Sequence, residues 1–334
     1  MTAGTDPMSG FGTLTRDWFT GAFSGPTAAQ AQAWAAIARG ENTLVVAPTG
    51  SGKTLAAFLW ALDRLACGPV PDDPKQRCRV LYISPLKALA VDIERNLRAP
   101  LTGIRQMAQR RGLAEPDIRV AVRTGDTAAD ERRRLASKPP DILITTPESL
   151  FLILTSQARD ALRGVDTVIV DEVHALAGNK RGAHLALSLE RLDAHRAAAP
   201  PAGAGASEGS GGPAHRASPA QRIGLSATVR PPEEVASFLG GIRQVTVAAP
   251  PSGKQIEIKI VVPVEDMSDL DAPPAITPGG GPGGLGPDRP PGTPPAQRSI
   301  WPHVEERVLD LIERHRSTII FANSRRLAER LCGR

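Results

Sequence analysis

The sequence contains few cysteines and no long apolar run, and both absences exclude whole classes of protein. Its three cysteines, Cys67, Cys78 and Cys332, form no CxxC pair and no metal-binding spacing. A sparse and odd set of this kind argues against a disulfide framework and favours a reduced, intracellular protein. No apolar run reaches the roughly 18 residues of a membrane span. The first residues also lack the basic and apolar regions of a signal peptide, so we expect a cytoplasmic protein that does not span a membrane.

Aromatic residues and net charge are also low. Aromatics make up 4% of the 334 residues, whereas hydrophobic residues make up 41%, which is ample for a large core. Forty Lys and Arg residues oppose 35 Asp and Glu residues, giving a formal charge of +5. This mild excess does not establish a polyanionic partner, because a solvated basic surface explains it equally well. The length favours about two domains.

Short apolar runs alternate with helical patterns along most of the chain. Near-continuous apolar strands separated by helices predict an α/β fold with a buried parallel sheet, in which ligands bind at the carboxyl ends of the strands. The predicted strands are residues 44–47, 80–84, 118–123, 142–146, 168–171, 223–226 and 245–248. The predicted helices include residues 28–39, 55–65, 86–107, 128–135, 150–154, 184–196 and 233–239.

Two low-complexity tracts interrupt this pattern. Residues 197–220 and 272–297 are rich in Pro, Gly, Ala and Ser. Such a composition cannot bury enough apolar surface to fold, and it is typical of exposed, disordered loops. A Pro-rich segment that binds a partner is the alternative interpretation.

The α/β pattern restarts after the second tract. Residues 301–315 have helical spacing, residues 318–322 are predicted to form a strand, and residues 324–331 a following helix. We interpret this segment as the beginning of a second lobe, because it is too small to form a domain of its own. The predicted organisation is a first lobe over 1–252, an inter-lobe strand or linker over 253–271, and the start of a second lobe over 298–334.

A phosphate-binding loop is the most informative motif. An apolar strand leads into Thr49-Gly50-Ser51-Gly52-Lys53-Thr54, and an apolar helical stretch follows. The glycines let backbone N–H groups turn toward an anion, and the helix adds the positive end of its dipole. Lys53 can reach the β- and γ-phosphates of ATP, and the Thr54 hydroxyl can bind Mg²⁺. Ala47 stands where the motif usually has its first glycine, and a chance Gly/Ser turn is the alternative.

A second apolar strand ends in two acids, at Asp171-Glu172-Val173-His174. Asp171 is predicted to hold Mg²⁺, and Glu172 to orient and deprotonate an attacking water, as in a nucleoside triphosphatase. The alternative is an ordinary strand followed by a helix N-terminus, where acids are common. The phosphate-binding loop upstream in the same predicted sheet favours the catalytic interpretation.

The order of the motifs resembles that of the DExH-box branch of superfamily-two helicases. Pro26-Thr27-Ala28-Ala29-Gln30 resembles the Q motif, in which Gln30 reads the adenine edge; a capping box formed with Thr27 is compatible with this role. Ser226-Ala227-Thr228 resembles motif III, which couples hydrolysis to strand movement, and a capped strand end is its alternative. The resemblance implies that His174 links the ATP site to motif III, the alternative being an ordinary surface histidine.

The same resemblance implies a nucleic-acid surface built from three loops. Pro85 and Lys87 lie in a segment that resembles motif Ia, Arg123 in one that resembles motif Ic, and Thr146 and Pro147 in one that resembles motif Ib. In the family these loops hold the phosphate backbone of one strand. Hydroxyls, backbone N–H groups and single cations suit such contacts, which do not read bases. Each segment taken alone is also typical of a polar loop after a strand.

A closer resemblance is to the large helicase-related (Lhr) family of bacterial and archaeal DNA helicases. Residues 171–176, 178–185, 301–306 and 321–329 carry it, and it covers nearly the whole chain outside the two low-complexity tracts. Arg181, in the second of these segments, is predicted to contact the strand or to bridge motifs. The resemblance implies two RecA-like lobes that bind ATP and Mg²⁺, and 3′-to-5′ movement along single-stranded DNA in DNA repair. RNA or a DNA–RNA hybrid are alternative partners, and protein partners are not implied.

Motifs V and VI of the family do not occur among the 334 residues. We therefore expect a complete first RecA-like lobe, the start of a second, and a truncated or incomplete chain that binds ATP weakly, hydrolyses it slowly and does not unwind a duplex. A double-stranded DNA translocase and a non-catalytic module that binds ATP or nucleic acid are the alternative functions.

Phe19 or Phe23 is predicted to pack on adenine, with a place in the core as the alternative.

Overall fold

A computed structural model describes residues 6–198, 218–251, 257–262 and 300–332. The chain divides into two units, Met1–Gly253 and Lys254–Arg334. The predicted tract at 272–297 lies outside the described residues, as do residues 199–217 of the predicted insertion. The predicted linker at 253–271 is described only at residues 257–262. The start of a second lobe in the second unit stays a prediction.

Helices and strands alternate along the first unit. In chain order the elements are α1 (Thr13–Ala22), α2 (Ala28–Ala38), β1 (Asn42–Val46), α3 (Lys53–Cys67), β2 (Val80–Ile83), α4 (Lys87–Arg110), β3 (Val120–Arg123), α5 (Ala129–Ser137), β4 (Ile142–Thr145), α6 (Pro147–Leu154), β5 (Thr167–Val170), α7 (Val173–Leu176), α8 (Lys180–Ala197), β6 (Gln221–Ser226), α9 (Pro232–Gly240) and β7 (Val245–Ala248). Short 3-10 helices at Pro74–Gln76 and Gln157–Leu162 precede β2 and β5. The predicted strands and helices of this unit are all present, and α1 and α7 are additional.

The seven strands of the described residues form one parallel sheet in the order β3-β4-β2-β5-β6-β1-β7. The register pairs Val46 with Ser226 and Ile83 with Val170, so neighbouring strands end at the same level. Parallel strands put their carboxyl ends at one edge of a sheet, where α/β proteins bind ligands. The predicted buried parallel sheet is confirmed, and the order of its strands differs from their order along the chain.

Both faces of the sheet are covered by helices. Alternate residues of each strand point to opposite faces. Val45, Tyr82 and Ile169 belong to one buried cluster with α2, α3 and α4. Leu44 and Leu81 belong to the other, with α6, α8 and α9. Burial on both faces explains why the strands are apolar at nearly every position.

The second unit contains two described helices, α10 (Trp301–Glu313) and α11 (Arg325–Cys332), at the positions of the predicted helices. The strand predicted at 318–322 is wrong for the described residues, because this segment has no strand partner there. Ile319 is 79% exposed and Phe321 is 91% exposed. A strand is stabilised by pairing with a neighbour, so an apolar run alone does not form one.

None of the described helices is long and apolar enough to cross a membrane.

A buried carboxylate joins three strands at the edge of the sheet opposite to their carboxyl ends. The side chain of Asp141, which precedes β4, is 1% exposed. Its oxygens lie 3.0 Å from Nη2 of Arg77 and 3.3 Å from Nη2 of Arg79, just before β2. The backbone N–H of Arg119, just before β3, donates to Asp141 at 2.9 Å. Asp141 therefore fixes the starts of β2, β3 and β4 relative to one another.

Replacing Asp141 with Asn is expected to lower the free energy of unfolding by about 3 kcal/mol, because it leaves two largely buried guanidinium groups without their shared anion. Asp117→Asn is the matched control. Asp117 also binds Arg77, at 3.0 Å, but its side chain is 57% exposed, so the expected loss is less than about 1 kcal/mol. Urea denaturation followed by circular dichroism measures both, and equal losses would contradict a structural role specific to Asp141.

Candidate functional site

The phosphate-binding loop connects β1 to α3. Gly50 has a φ of 80° and Gly52 a φ of 79°, a left-handed conformation that side chains rarely adopt. Gly52 is the N-cap of α3 and supplies no side-chain cap. The N-terminus of a helix is a favourable place for an anion, because its first N–H groups point toward it. The amine of Lys53 donates to the carbonyl of Ala47. Thr49, Gly50, Ser51 and Gly52 form the turn, and Lys53 and Thr54 open the helix.

Gln30 ties the start of α2 to this loop. Its side-chain oxygen accepts from the N–H of Thr27 at 2.9 Å, while its own N–H donates to Oγ1 of Thr27 at 3.2 Å, so the expected capping box is present. The Gln30 amide also donates to the carbonyl of Gly52 at 3.3 Å, and Oγ1 of Thr27 donates to that of Ser51 at 3.0 Å. The Gln30 amide has a further N–H and a further lone pair, so the predicted contact with adenine remains compatible with these bonds.

Two donors hold the carboxylate of Asp171, which follows β5 and is 9% exposed. The hydroxyl of Tyr82 donates to Oδ2, and the backbone N–H of Glu172 donates to Oδ1 at 2.9 Å. Burial, with a further contribution from Asp171, raises the pKa of the Tyr82 phenol, which therefore keeps its proton as the donor. No motif points to Tyr82, because its role depends on which strand lies beside β5.

Glu172 and His174 connect the acidic pair to the strand end of β6. Glu172 has φ 47° and ψ 43°, and it is the only residue other than glycine with positive φ in the described part of the chain. Nε2 of His174 lies 3.2 Å from Oε2 of Glu172. The N–H of Ala227 lies 3.3 Å from Nδ1 of His174 and can only donate. Nδ1 is therefore the acceptor, so Nε2 carries the hydrogen that Glu172 accepts.

Of the predicted coupling residues, the structure brings His174 and Ser226 into contact. The Ser226 hydroxyl lies 3.3 Å from Nδ1 of His174 and donates to the carbonyl of Ala227 at 2.9 Å. Thr228 is exposed in the loop that follows β6. His174 thus contacts both the acidic pair and the segment that resembles motif III, whereas an ordinary surface histidine would face solvent.

Most of the residues predicted to bind nucleic acid lie at the ends of three adjacent strands, β3, β4 and β2, whereas Arg181 lies in the first turn of α8. Lys87 is exposed at the start of α4, whereas Pro85 before it is buried. Thr146 is 3% exposed and caps α6, with its hydroxyl accepting from the N–H of Ser149 at 3.4 Å. Pro147 is the first, buried residue of that helix. Contact of these residues with nucleic acid stays a prediction, and the capping role of Thr146 is an observed one.

Arg123 differs from the other predicted cations, because no carboxylate contacts it within the described residues. It ends β3 and is half-buried. Burial lowers the pKa of its guanidinium, and the nearby Arg132 lowers it further. Arg132 donates to the carbonyls of Gly125 and Thr127 at 3.0 and 2.7 Å, which fixes the turn beside Arg123. Two neighbouring guanidinium groups favour an anion between them.

Lys87 and Arg181 are instead paired with carboxylates that no sequence motif assigned to them. Nζ of Lys87 lies 2.6 Å from Oδ1 of Asp126, in the loop after β3. Arg181 binds Glu148 through Nε, and through Nη2 at 3.0 Å, which links α8 to α6. Hydrogen bonding to Arg181 lowers the pKa of Glu148. A phosphate that binds these cations must therefore compete with a carboxylate for each of them.

Thr54 and Asp171 offer the oxygen ligands that Mg²⁺ prefers. In phosphate sites this ion is typically held by one or two protein oxygens together with phosphate oxygens and water. Each Asp171 oxygen accepts one of the hydrogen bonds above and has lone pairs left. The described residues contain no group of three or more His, Cys, Asp or Glu that could hold a metal alone. The donor set therefore fits an ion that binds together with a nucleotide.

Of the two phenylalanines predicted to pack on adenine, Phe19 belongs to the core, which was the alternative interpretation. Phe19 is 1% exposed and its ring centroid lies 5.4 Å from that of Trp34. Phe23 is 44% exposed and lines a cavity of 240 Å³ together with Trp18 and Thr54. Of the two phenylalanines, Phe23 remains the candidate for contact with a base beside the phosphate-binding loop.

A phosphate-binding loop and an acidic pair at the carboxyl edge of one parallel sheet define the class of P-loop nucleoside triphosphatases. A family model described as DEAD/DEAH box helicase matches residues 27–236, more than half of the 334 residues. The chain belongs to the DEAD/DEAH box helicase family, and the predicted RecA-like fold of its first unit is confirmed.

Individual relatives refine this assignment. The chain is 56% identical over 333 residues to a Lhr helicase and probable uracil glycosylase of Mycolicibacterium smegmatis, and 53% identical over 330 residues to the Lhr helicase/uracil glycosylase of Escherichia coli. These alignments cover 100% and 97% of this chain but 19% of each relative. An ATP-dependent helicase Lhr-Core protein 2 of Thermococcus barophilus is 41% identical over 95% of this chain and 32% of its own length.

A solved structure agrees with these sequences. The helicase Lhr of Mycobacterium smegmatis, bound to single-stranded DNA and AMP-PNP, has a TM-score of 0.76 and 55% identity, covering 98% of this chain and 36% of that one. The predicted resemblance to the Lhr family is confirmed. The chain spans about a fifth of the length of the bacterial relatives above.

Replacing Gly52 with Ala is expected to weaken nucleotide binding about tenfold. At a φ of 79° an alanine is strained, and its Cβ would lie 2.5 Å from Nε2 of Gln30. A left-handed residue other than glycine costs about 1–2 kcal/mol, which corresponds to roughly tenfold in affinity if the bound loop alone bears it. Fluorescence titration with a labelled ATP analogue measures the change.

Gly40→Ala is the matched control, because Gly40 has a φ of 78° and nothing within 4 Å of the added Cβ. Gly40→Ala is expected to lose stability, because its strain is present with and without nucleotide, and only Gly52→Ala is expected to lose affinity for the nucleotide. Equal affinities in the two variants would contradict the role given to the contact between Gly52 and Gln30.

Proposed function

We propose that this chain supplies the ATP-binding lobe of a helicase that couples ATP hydrolysis to 3′-to-5′ movement along single-stranded DNA in DNA repair. The observation that carries the proposal is the His174 bridge, because it joins the predicted general base to the loop after β6. The relative bound to single-stranded DNA and AMP-PNP supports both partners. The polarity and the repair role rest on resemblance to the Lhr family.

In this proposal the chemistry of ATP hydrolysis is divided among the strand ends of β1 and β5. Lys53 and the first N–H groups of α3 bind the phosphates and neutralise their charge. Glu172 accepts a proton from water as the water oxygen bonds to the γ-phosphorus and the bond to the bridging oxygen breaks. The hydrogen bond from His174 orients the Glu172 carboxylate. Thr54 and Asp171 hold Mg²⁺, which supplies positive charge beside the phosphates when it is bound.

Coupling follows from the position of His174. Its Nε2 contacts Glu172, the general base in this proposal, and its Nδ1 contacts the segment from Ser226 to Thr228. A change in the position of Glu172 during hydrolysis alters that contact and therefore the loop after β6. Each ring nitrogen makes one of these contacts. The ring therefore cannot keep its bonds to both Glu172 and the loop after β6 if one of the two moves away.

The sheet order supports a separate track for nucleic acid. The loops predicted to contact the strand follow β3, β4 and β2, which form one half of the sheet. In the other half, the phosphate-binding loop follows β1, the acidic pair follows β5 and the predicted coupling segment lies at the end of β6. Single-stranded DNA is the proposed partner, and RNA or a DNA–RNA hybrid would use the same contacts. These loops offer cations and hydroxyls for phosphates, which favours binding without a preference for sequence.

Glu172→Gln is expected to lower steady-state ATP hydrolysis at least about 100-fold, because an amide cannot accept the proton of the attacking water. The amide keeps the size of the side chain and can still accept from His174. Hydrolysis is measured with and without single-stranded DNA, and binding of AMP-PNP to the same variant is measured as the control for folding.

Lys53→Ala gives the complementary variant, with AMP-PNP binding lost and the fold retained. Loss of hydrolysis in Glu172→Gln with binding retained supports the proposed division of roles. Hydrolysis by Glu172→Gln at the unsubstituted rate would show that another group deprotonates the water, and AMP-PNP binding unchanged in Lys53→Ala would contradict the phosphate site.

Asp126→Asn is expected to increase the affinity for single-stranded DNA about two- to fivefold, because it removes the carboxylate that competes with phosphate for Lys87. This range corresponds to roughly 0.4–1 kcal/mol, within the range of an exposed ion pair. Lys87→Ala is expected to lower the affinity and to reduce the slope of log K against log salt by about 0.7, the value of one contact to a single strand. Fluorescence anisotropy at several salt concentrations measures both.

Asp130→Asn is the matched control for Asp126→Asn. Asp130 is exposed in the first turn of α5, close to Asp126 in sequence, and no cation contacts it within the described residues. It therefore reports the effect of removing one negative charge at a distance. Equal gains in the two variants would contradict direct competition for Lys87.

A further inference from the structure

Tyr82 is the only tyrosine in the chain, and it lies in the middle of the sheet. The register of β2 and β5 pairs Tyr82 with Ile169. Asp171 follows Ile169 by two residues, and side chains two apart along a strand point to the same face. Tyr82 and Asp171 are therefore diagonal neighbours on one face, within reach of a long aromatic side chain, and the phenol donates to Oδ2 of Asp171.

The ring of Tyr82 is held from the other side by the helix that carries the phosphate-binding loop. The centroid of Phe58, in α3, lies 4.9 Å from that of Tyr82, and the two planes are inclined by 26°. Both rings are 0% exposed. Stacking with this geometry leaves the phenol few rotamers. One contiguous set of contacts thus runs from α3 through Phe58 and Tyr82 to Asp171.

We propose that Tyr82 is a positioning residue that fixes the orientation of the Asp171 carboxylate for a divalent cation bound with the nucleotide. The inference rests on the proposed function, because it takes Asp171 as a ligand of that cation. The hydroxyl bonds Oδ2 and the N–H of Glu172 bonds Oδ1, so the carboxylate has one orientation in which both oxygens are satisfied. The remaining lone pairs then have fixed directions.

A role in packing alone does not account for the hydroxyl. A phenylalanine would fill the same space against Phe58, and burying a hydroxyl in an apolar cluster is unfavourable unless a partner accepts its hydrogen. The partner here is one of the two side chains that carry the predicted metal site. Groups that hydrogen-bond a metal ligand typically change metal affinity by about 10- to 100-fold when they are removed.

The test compares the full 334-residue chain with Tyr82→Phe, which removes one oxygen and keeps the ring. Binding of Mn²⁺ in the presence of AMP-PNP is followed by the loss of the free-ion signal in electron paramagnetic resonance. The dissociation constant for Mn²⁺ is expected to rise at least about tenfold, whereas binding of AMP-PNP in the absence of a divalent ion is expected to stay the same. Equal Mn²⁺ affinities in the two proteins would overturn the inference.

Thr43→Val separates positioning from simple loss of a buried hydroxyl. Thr43 is 0% exposed in β1, and its hydroxyl donates to the carbonyl of Glu41 at 3.0 Å, away from the acidic pair. It is expected to lower the melting temperature without changing Mn²⁺ affinity, and a loss of affinity equal to that of Tyr82→Phe would overturn the inference. Absence of nucleotide-dependent Mn²⁺ binding by the unsubstituted chain would overturn the proposed function together with this inference, whereas a failure confined to Tyr82→Phe leaves that function intact.

Discussion

The parallel register of the sheet is the constraint on which the rest of the first unit depends. Since every pairing is parallel, all strands end at one edge, and residues far apart in the chain become neighbours there. Val46 is level with Ser226, and Ile83 is level with Val170. The phosphate-binding loop, the acidic pair and the loop after β6 therefore lie at one edge of the sheet, although they are far apart in sequence. A shift of one residue would turn Asp171 away from Tyr82 and toward the opposite face.

The two edges of the sheet are built differently. At the amino ends of the strands, charged groups are paired and largely buried: Asp141 binds Arg77 and Arg79, and Arg222, 2% exposed, binds Asp193 at 2.9 Å. At the carboxyl ends lies Glu172, the only residue other than glycine with positive φ in the described part of the chain. Glycine adopts this conformation freely, whereas a residue such as Glu172 bears a backbone strain of about 1–3 kcal/mol that persists only where the surroundings enforce it.

Sequence patterns predicted the elements that depend on local composition, and they failed where a partner decides the outcome. The strands of the sheet were predictable because burial on both faces makes them apolar at nearly every position. Residues 318–322 have the same composition, but no described strand pairs with them, so the prediction of a strand was wrong. The motifs located Lys53, Asp171 and His174. Tyr82, Asp126 and Glu148 were missed, because each acts on a residue of another strand or helix, and only the register brings them together.

The pairing of Lys87 with Asp126 and of Arg181 with Glu148 changes how the predicted nucleic-acid surface should be understood. A cation that already holds a carboxylate exchanges one anion for another when phosphate arrives, so the net gain per contact is smaller than for an unpaired cation. Arg123 beside Arg132 is the exception, because burial and like charge both favour the arrival of an anion. Under the proposed function, Arg123 offers a cation that no carboxylate contacts within the described residues, whereas Lys87 and Arg181 offer cations at which phosphate and carboxylate exchange.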